Sequence, residues 1–158
     1  MLVQLNGRDG RPDRDRQFDA TSYDLPLNPP STKTLSPVVA VLGHPGRIAG
    51  LSAHLPAGWS LRPARDCDDV RPGELVLFTR ATERDVRIAR ALLPRQSRIV
   101  ALVDEQAPAG LVATLLTAGA DVCVRGGHPA ILAGHLIACR RRQLAERWTE
   151  LEAVARRL

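Results

Sequence analysis

The amino-acid sequence predicts an α/β domain in which five parallel strands form a sheet covered by helices. Three observations favour this fold class. Short apolar runs recur between positions 38 and 124, bounded by glycine, proline or polar residues, which is typical of strands buried on both faces. Segments with apolar residues at spacings of three and four separate these runs, which indicates amphipathic helices. Because the connections are short, strands and helices are expected to alternate.

The predicted strands follow from the apolar runs. Four runs are apolar at every position, and the runs of the first and third strands are assigned to strands buried on both faces of the sheet. A further segment alternates apolar and polar residues and contains Pro63, so it is expected at the edge of the sheet, where a residue without an N–H donor is tolerated. In chain order, the predicted strands are Val38 to Leu42, Trp59 to Pro63, Leu75 to Phe78, Ile99 to Val103 and Val122 to Val124.

Helices are predicted in most of the connections. Residues 46–56, 82–93 and 108–118 place apolar side chains at helical spacing, and the third of these segments opens with proline in its first turn. Only the segment ARDCDDVRPG lies between the second and third strands, so the second helix is predicted to be shortened. A long helix is predicted from Pro129 to the end of the chain.

Composition divides the chain into three segments. Residues 1–36 are rich in glycine, proline, aspartate and arginine and show no apolar period, so they are predicted to form a disordered tail. Residues 37–142 contain the alternating strands and helices and form the predicted domain. Residues 143–158 are predicted to extend the last helix beyond the length needed to cover the sheet.

The composition also excludes several classes of protein. The longest run without a charged residue has 15 residues, which is too short for a membrane span, and the start of the chain lacks the pattern of a secretory signal. A cytoplasmic protein without membrane contact is therefore expected. The three cysteines are widely spaced, which favours reduced, buried thiols over disulfides or a zinc site. Lys33 is the only lysine and lies in the tail, so lysine-dependent chemistry is not expected in the domain.

Polar residues that follow the strands form the candidate site for chemistry, because parallel strands end at the same edge of a doubly wound sheet. The two histidines and two carboxylates among them could hold a metal, but none has metal-ligand spacing. Arg125 with the glycine pair after it could hold an anion, although such pairs more often provide backbone freedom. The strand-end residues are Gly43, His44, Thr79, Arg80, Asp104, Glu105, Arg125 and His128.

The order of elements and several segments resemble a response-regulator receiver domain over residues 37–142, about two thirds of the chain. The similar segments are VVAVLGHPGRIAGL, ELVLFT, SRIVALVDE and TAGADVCVRGGHPAILAGHLIACRRR. The triplet Gly119-Ala120-Asp121 is the most specific of these matches. The resemblance implies the CheY-like sheet order 2-1-3-4-5 and a role in two-component-like signalling.

The residues that perform receiver chemistry are absent at the matching positions. The family transfers a phosphoryl group to an aspartate after the third strand, using acidic residues that hold magnesium, a hydroxyl group and a lysine. The matching positions are Gly43, His44, Thr79, Val103 and Arg125. Because the acceptor and the metal ligands must be carboxylates, the sequence predicts a degenerate pseudo-receiver with no catalytic residue, no metal and no cofactor.

The end of the last helix predicts an association surface, which we call the seam. Its residues are Leu144, Trp148, Leu151, Ala155 and Leu158, at intervals of four and three, as in a coiled coil. An amphipathic helix that packs on its own domain would show a similar stripe, but the apolar area of Trp148 and Leu151 favours a partner. The resemblance adds that working receivers form dimers or bind partners through the last strand and the last two helices.

The expected function is therefore a phosphorylation-independent regulatory and dimerisation module of a bacterial transcription regulator. The alternative is a localisation scaffold that docks a partner protein through the same face, and a small-ligand or metal sensor at the strand ends is least favoured. No helix-turn-helix pattern follows the three arginines at residues 140–142, so DNA contact is expected only through an output domain beyond this chain.

Overall fold

The computed structural model describes residues 36–157. The predicted tail, apart from its last residue, and Leu158 of the seam lie outside the described residues. Five strands form one fully parallel sheet in the order β2-β1-β3-β4-β5, which confirms the doubly wound, receiver-like order. The strands are β1 (Val38–Leu42), β2 (Ser60–Ala64), β3 (Leu75–Phe78), β4 (Ile99–Val103) and β5 (Val122–Arg125). As predicted, the strand that contains Pro63 lies at an edge.

The interior strands place side chains alternately in two apolar layers. In β3, Leu75 and Leu77 point into one layer, whereas Val76 and Phe78 point into the other. All four side chains are buried. This arrangement explains the continuous apolar runs, since a strand covered on both faces has no position that suits a polar side chain.

Three α-helices occur among residues 36–157: α1 (Glu83–Leu92), α2 (Ala109–Ala118) and α3 (Pro129–Ala155). The first two cover one face of the sheet, and α3 covers the other. The first turn of α1 is stabilised by reciprocal hydrogen bonds between Thr82 and Asp85, a capping box. α3 continues without interruption past residue 143, and none of the described helices is long and apolar enough to cross a bilayer.

The helix predicted over residues 46–56 is wrong. Two short 3₁₀ helices, Pro45–Ile48 and Leu51–His54, occupy this connection. Gly50 separates them with a φ of 82°, a left-handed conformation that cannot continue a right-handed helix. Ile48, at the end of the first 3₁₀ helix, and Leu51, at the start of the second, are nevertheless buried against the same face of the sheet as α3.

The connection between β2 and β3 contains no helix. The second helix, which was predicted to be shortened, is therefore absent from this connection. A buried carboxylate holds this connection instead. Arg62 of β2 donates to Glu74 Oε2 over 2.7 Å and to the Asp69 carbonyl oxygen over 2.6 Å, and the Arg71 N–H donates to Glu74 Oε2 over 2.9 Å. Burial raises the pKa of Glu74, but the hydrogen bonds from Arg62 and Arg71 outweigh it, so the pKa lies below its ordinary value.

The Gly119-Ala120-Asp121 turn, on which the receiver resemblance most depends, has a structural role. Its glycine ends α2 in a left-handed conformation, with a φ of 117°. The Asp121 carboxylate accepts hydrogen bonds from the Ile99 N–H over 2.8 Å, from Arg98 over 2.6 Å and from Arg90 over 2.8 Å. The turn therefore ties the starts of β4 and β5 to α1.

The three cysteines are unpaired. Cys139 is buried on the side of α3 that faces the sheet, whereas Cys67 and Cys123 are half-buried, so the expectation of buried thiols is right for Cys139 alone. Burial raises the pKa of all three thiols. Burial therefore disfavours the thiolate, the reactive form, at all three positions.

We expect Glu74→Gln to lower the free energy of unfolding by about 1–3 kcal/mol at neutral pH, because Arg62 loses its charged partner. The folded-state pKa of Glu74 is lowered, so its stabilising contribution is full above the unfolded-state pKa and is lost as the pH falls through the folded-state value. Urea unfolding at several pH values should show the difference from wild type shrinking below about pH 4. The exposed Glu105→Gln is the control, and a Glu74→Gln effect independent of pH would contradict this assignment.

Candidate functional site

The carboxyl ends of the interior strands lie at one edge of the sheet. Leu42 at the end of β1 is the register partner of Phe78 in β3, and Val103 at the end of β4 is the partner of Arg125 in β5. The loops that follow contain the strand-end residues identified in the sequence. The contacts at the carboxyl ends of the strands show which of these residues lie together.

Thr79 occupies the position that the resemblance assigns to the phospho-acceptor. Its side chain is completely buried. Thr79 Oγ1 accepts a hydrogen bond from the His44 N–H over 2.7 Å and donates one to the Leu42 carbonyl oxygen over 3.2 Å. The Thr79 N–H donates to the same carbonyl over 3.0 Å. The hydroxyl group therefore joins the ends of β1 and β3, and its single donor is used inside the protein.

Gly43 lies against this hydroxyl group in a conformation that favours glycine. Its φ is 103°, and a Cβ atom added at Gly43 would lie 2.5 Å from Thr79 Oγ1. A carboxylate side chain of the kind that holds magnesium in receivers therefore does not fit at position 43 while Thr79 keeps its place. Gly43, His44 and Thr79, three of the five positions that the resemblance assigns to receiver chemistry, thus lie in one hydrogen-bonded turn.

The other two of these positions, Val103 and Arg125, differ in their surroundings. Val103 is buried in the apolar layer beneath α1 and α2, so it contributes packing where the family has a hydroxyl group. Arg125 is exposed at the end of β5. The two glycines after it have φ values of 77° and 65°, and a Cβ at Gly127 would lie 3.2 Å from Leu102 Cδ1. Gly126 and Gly127 allow the backbone to turn after β5 and to pack closely on Leu102.

An ion pair between Arg47 and Asp104 crosses the same edge of the sheet. Together with His44, Gly46 and Arg80, these two residues line a shallow depression of about 410 Å³. The other strand-end candidates of the sequence, Glu105, Arg125 and His128, are not among its lining residues. Sequence reasoning missed Arg47 because this residue lay within a predicted helix, and nothing in the local pattern indicated that it faces β4.

The chemistry of this edge does not suit a divalent metal. Among residues 36–157, no three His, Cys, Asp or Glu side chains are close enough together to hold a metal ion. Asp104 is already paired with a guanidinium group, and Mg²⁺ prefers several oxygen ligands. The residues that line the depression include two arginines and one carboxylate, the reverse of a magnesium-binding receiver.

The seam on α3 is the second candidate site. The side chains of Leu144, Trp148 and Leu151 are 38%, 67% and 56% exposed, and Ala155 is exposed as well. Contiguous apolar side chains on a surface helix are typical of a protein interface. The sequence spacing predicted this stripe, and the structure places its described residues away from the core.

Contacts on the opposite side of α3 hold the helix to its own domain. Gln96, in the loop before β4, donates from Nε2 to Glu150 Oε2 over 2.6 Å, and its carbonyl oxygen accepts a hydrogen bond from Gln143 over 3.3 Å. Arg98 forms an ion pair with Glu146. The domain therefore holds this part of α3 through polar residues, and the described residues of the seam do not pack back on it.

Comparison with known proteins bears on the fold. No protein-family model matches the sequence, and no curated protein matches it. The crystal structure of NtrX from Brucella abortus, a response regulator, is similar with a TM-score of 0.53 and 15% sequence identity, over 77% of this chain and 30% of that chain. The fold is receiver-like. At this identity the similarity concerns the fold alone, and the receiver-like domain corresponds to less than a third of the NtrX chain.

We expect Thr79→Val to lower the free energy of unfolding of the receiver-like domain by about 1–3 kcal/mol, because it leaves the His44 N–H without its acceptor. Valine has nearly the same shape, so lost hydrogen bonding accounts for the loss. Urea unfolding measures the change. Thr117→Val on the exposed side of α2 is the matched control, with an expected change within about 0.5 kcal/mol. Equal losses in the two variants would show that Thr79 Oγ1 does not stabilise the turn.

Gly43→Ala should destabilise the receiver-like domain by at least about 1–2 kcal/mol, the cost of a left-handed backbone for an L-residue. The contact with Thr79 Oγ1 adds to that cost. Gly46→Ala is the matched control, because a Cβ there would have no neighbour within 4 Å. Thermal unfolding of both variants measures the difference. A Gly43→Ala variant as stable as Gly46→Ala would be incompatible with the turn described above.

Proposed function

We propose that the receiver-like domain is a phosphorylation-independent signalling module that acts by assembling with a partner. One observation carries the first part of this proposal. The hydroxyl group of Thr79 is buried and hydrogen-bonded between β1 and β3, at the position where receiver chemistry needs an accessible carboxylate. A buried hydroxyl group that donates its proton to a backbone carbonyl oxygen, and not to a general base, is a poor nucleophile.

The neighbouring residues offer no substitute for the missing acceptor. Asp104 is the first residue after β4, and its carboxylate pairs with Arg47. Phosphoryl transfer to a carboxylate depends on a metal ion that neutralises charge on the phosphoryl oxygens, and the ends of β1 and β3 supply Gly43 and Thr79 where metal-holding carboxylates are needed. We therefore assign no catalytic residue, metal or cofactor, and we propose that the protein is not an enzyme.

The seam supports the second part of the proposal. Its exposed side chains on α3 lie outside the core of the domain, and the polar contacts of Glu146 and Glu150 keep the opposite side of the helix on the domain. A helix held in this way presents its apolar side chains to another molecule. The last strand and α2 complete the face that the receiver resemblance assigns to partners.

We propose a cytoplasmic setting in a bacterial transcription regulator, with DNA contact made by a separate output domain. The receiver-like fold and the resemblance of its last segment to receivers support this setting. A localisation scaffold that docks a different protein on the seam is the second candidate, favoured by the same exposed side chains. The two are distinguished by whether the seam binds another copy of this chain or a different protein.

The test of phosphorylation independence uses the full chain with a small-molecule phosphoryl donor and Mg²⁺. We expect no added phosphate by intact-protein mass spectrometry and an unchanged unfolding temperature. Thr79→Asp under the same conditions should also remain unmodified, because a carboxylate at that position still lacks the metal ligands. A phosphorylation-competent receiver serves as the positive control. Stoichiometric phosphorylation of the wild-type chain, at Asp104 or elsewhere, would refute the proposal.

A further inference from the structure

We propose that the seam binds the seam of a second copy of this chain as a parallel, two-stranded coiled coil. This inference deepens the proposed assembly function and rests on it, since it names the partner and the orientation. The observations that support it are the two faces of α3, the polar contacts that fix the rotation of this helix, and the charges that flank the seam.

α3 carries two stripes with the same alternating spacing of four and three residues. One is the seam, and the other, which we call the inner stripe, faces the domain. Glu146 and Glu150 lie two positions after Leu144 and Trp148, which places them about 200° away around the helix. The two stripes therefore lie on opposite sides of α3. The inner stripe consists of Leu132, Leu136, Cys139, Gln143, Glu146 and Glu150.

The inner stripe changes from apolar to polar where α3 passes the loop before β4, at the amino ends of the strands. Leu132, Leu136 and Cys139 are completely buried against the sheet, whereas Glu146 and Glu150 bind the polar side chains of the loop before β4. Turning Trp148 toward the domain would break these contacts and withdraw the buried leucines. The rotation of α3 is therefore fixed with the seam directed outward.

The residues that flank the seam carry complementary charges for a parallel pair. With Leu144 and Leu151 at heptad position d and Trp148 at position a, Arg147 occupies position g and Glu152 occupies position e. In a parallel coiled coil, position g faces position e of the next heptad in the partner. Arg147 of one protomer then meets Glu152 of the other, and two-fold symmetry forms the pair twice.

Both charges are available for this contact. Arg147 and Glu152 are exposed. Glu152 Oε2 lies 3.6 Å from Arg156 of the same helix, and a carboxylate can accept hydrogen bonds from two guanidinium groups. In an antiparallel pair, position g faces g and position e faces e, so Arg147 would not meet Glu152. The charge pattern therefore favours a parallel second copy.

The experiment exchanges these charges in the full chain and follows its mass by sedimentation equilibrium over about a hundredfold range of concentration. We expect wild type to form dimers. Arg147→Glu and Glu152→Arg should each raise the dimer Kd by about tenfold or more, because each variant places like charges together twice. An equimolar mixture of the two variants should restore dimers, since each protomer then meets the opposite charge.

Two further variants separate the seam from the rest of the helix. Trp148→Glu should abolish the dimer, whereas Thr149→Glu, one residue outside the seam, should leave its Kd within about threefold of wild type. Far-UV circular dichroism verifies that every variant stays folded. A monomeric wild type, a dimer unaffected by Trp148→Glu, or a mixture that does not recover dimers would each overturn the inference.

The phosphorylation experiment distinguishes failure of this inference from failure of the proposed function. A monomer that takes up no phosphate would overturn the parallel dimer and leave phosphorylation independence standing. A dimer with the expected charge dependence that becomes phosphorylated would refute phosphorylation independence and uphold the seam as the interface.

Discussion

Burial of both faces of the parallel sheet is the constraint on which the rest of the structure depends. Each interior strand sends apolar side chains into two layers, so each layer must be covered. The helices α1 and α2 cover one layer. On the other, two short 3₁₀ helices replace a full helix after β1, and the first half of α3 supplies most of the remaining cover through Leu132, Leu136 and Cys139.

The same requirement shapes the edge of the sheet where receivers carry out their chemistry. Thr79 extends the pairing of β1 with β3 by binding the backbone of Leu42 and His44, and Gly43 leaves room for it. A carboxylate at position 79 would remove that hydroxyl group, and one at position 43 would need space that Thr79 fills. These positions are therefore mutually dependent, and no single substitution converts this turn into a magnesium-binding site.

The edge that bears Thr79 and the helix that bears the seam have complementary properties. At the edge, Thr79 Oγ1 binds the backbone of His44 and Leu42, and Asp104 pairs with Arg47. On α3, polar groups of the inner stripe bind the domain, so the apolar side chains opposite them face solvent. The proposed function, assembly with a partner without phosphorylation, rests on these two features.

The sequence by itself determined the five strands, the edge position of the strand that contains Pro63, and the spacing of the seam, because strand and helix periods are local properties of a chain. It did not determine the helix content of residues 46–56, since the spacing of the apolar residues does not show that Gly50 takes a left-handed conformation, which interrupts the helix. Only the tertiary structure paired Arg47 with Asp104 and Arg98 with Glu146, residues 57 and 48 positions apart. Such contacts, including those of α3 that direct the seam outward, depend on how separate elements pack. No local sequence pattern predicts them.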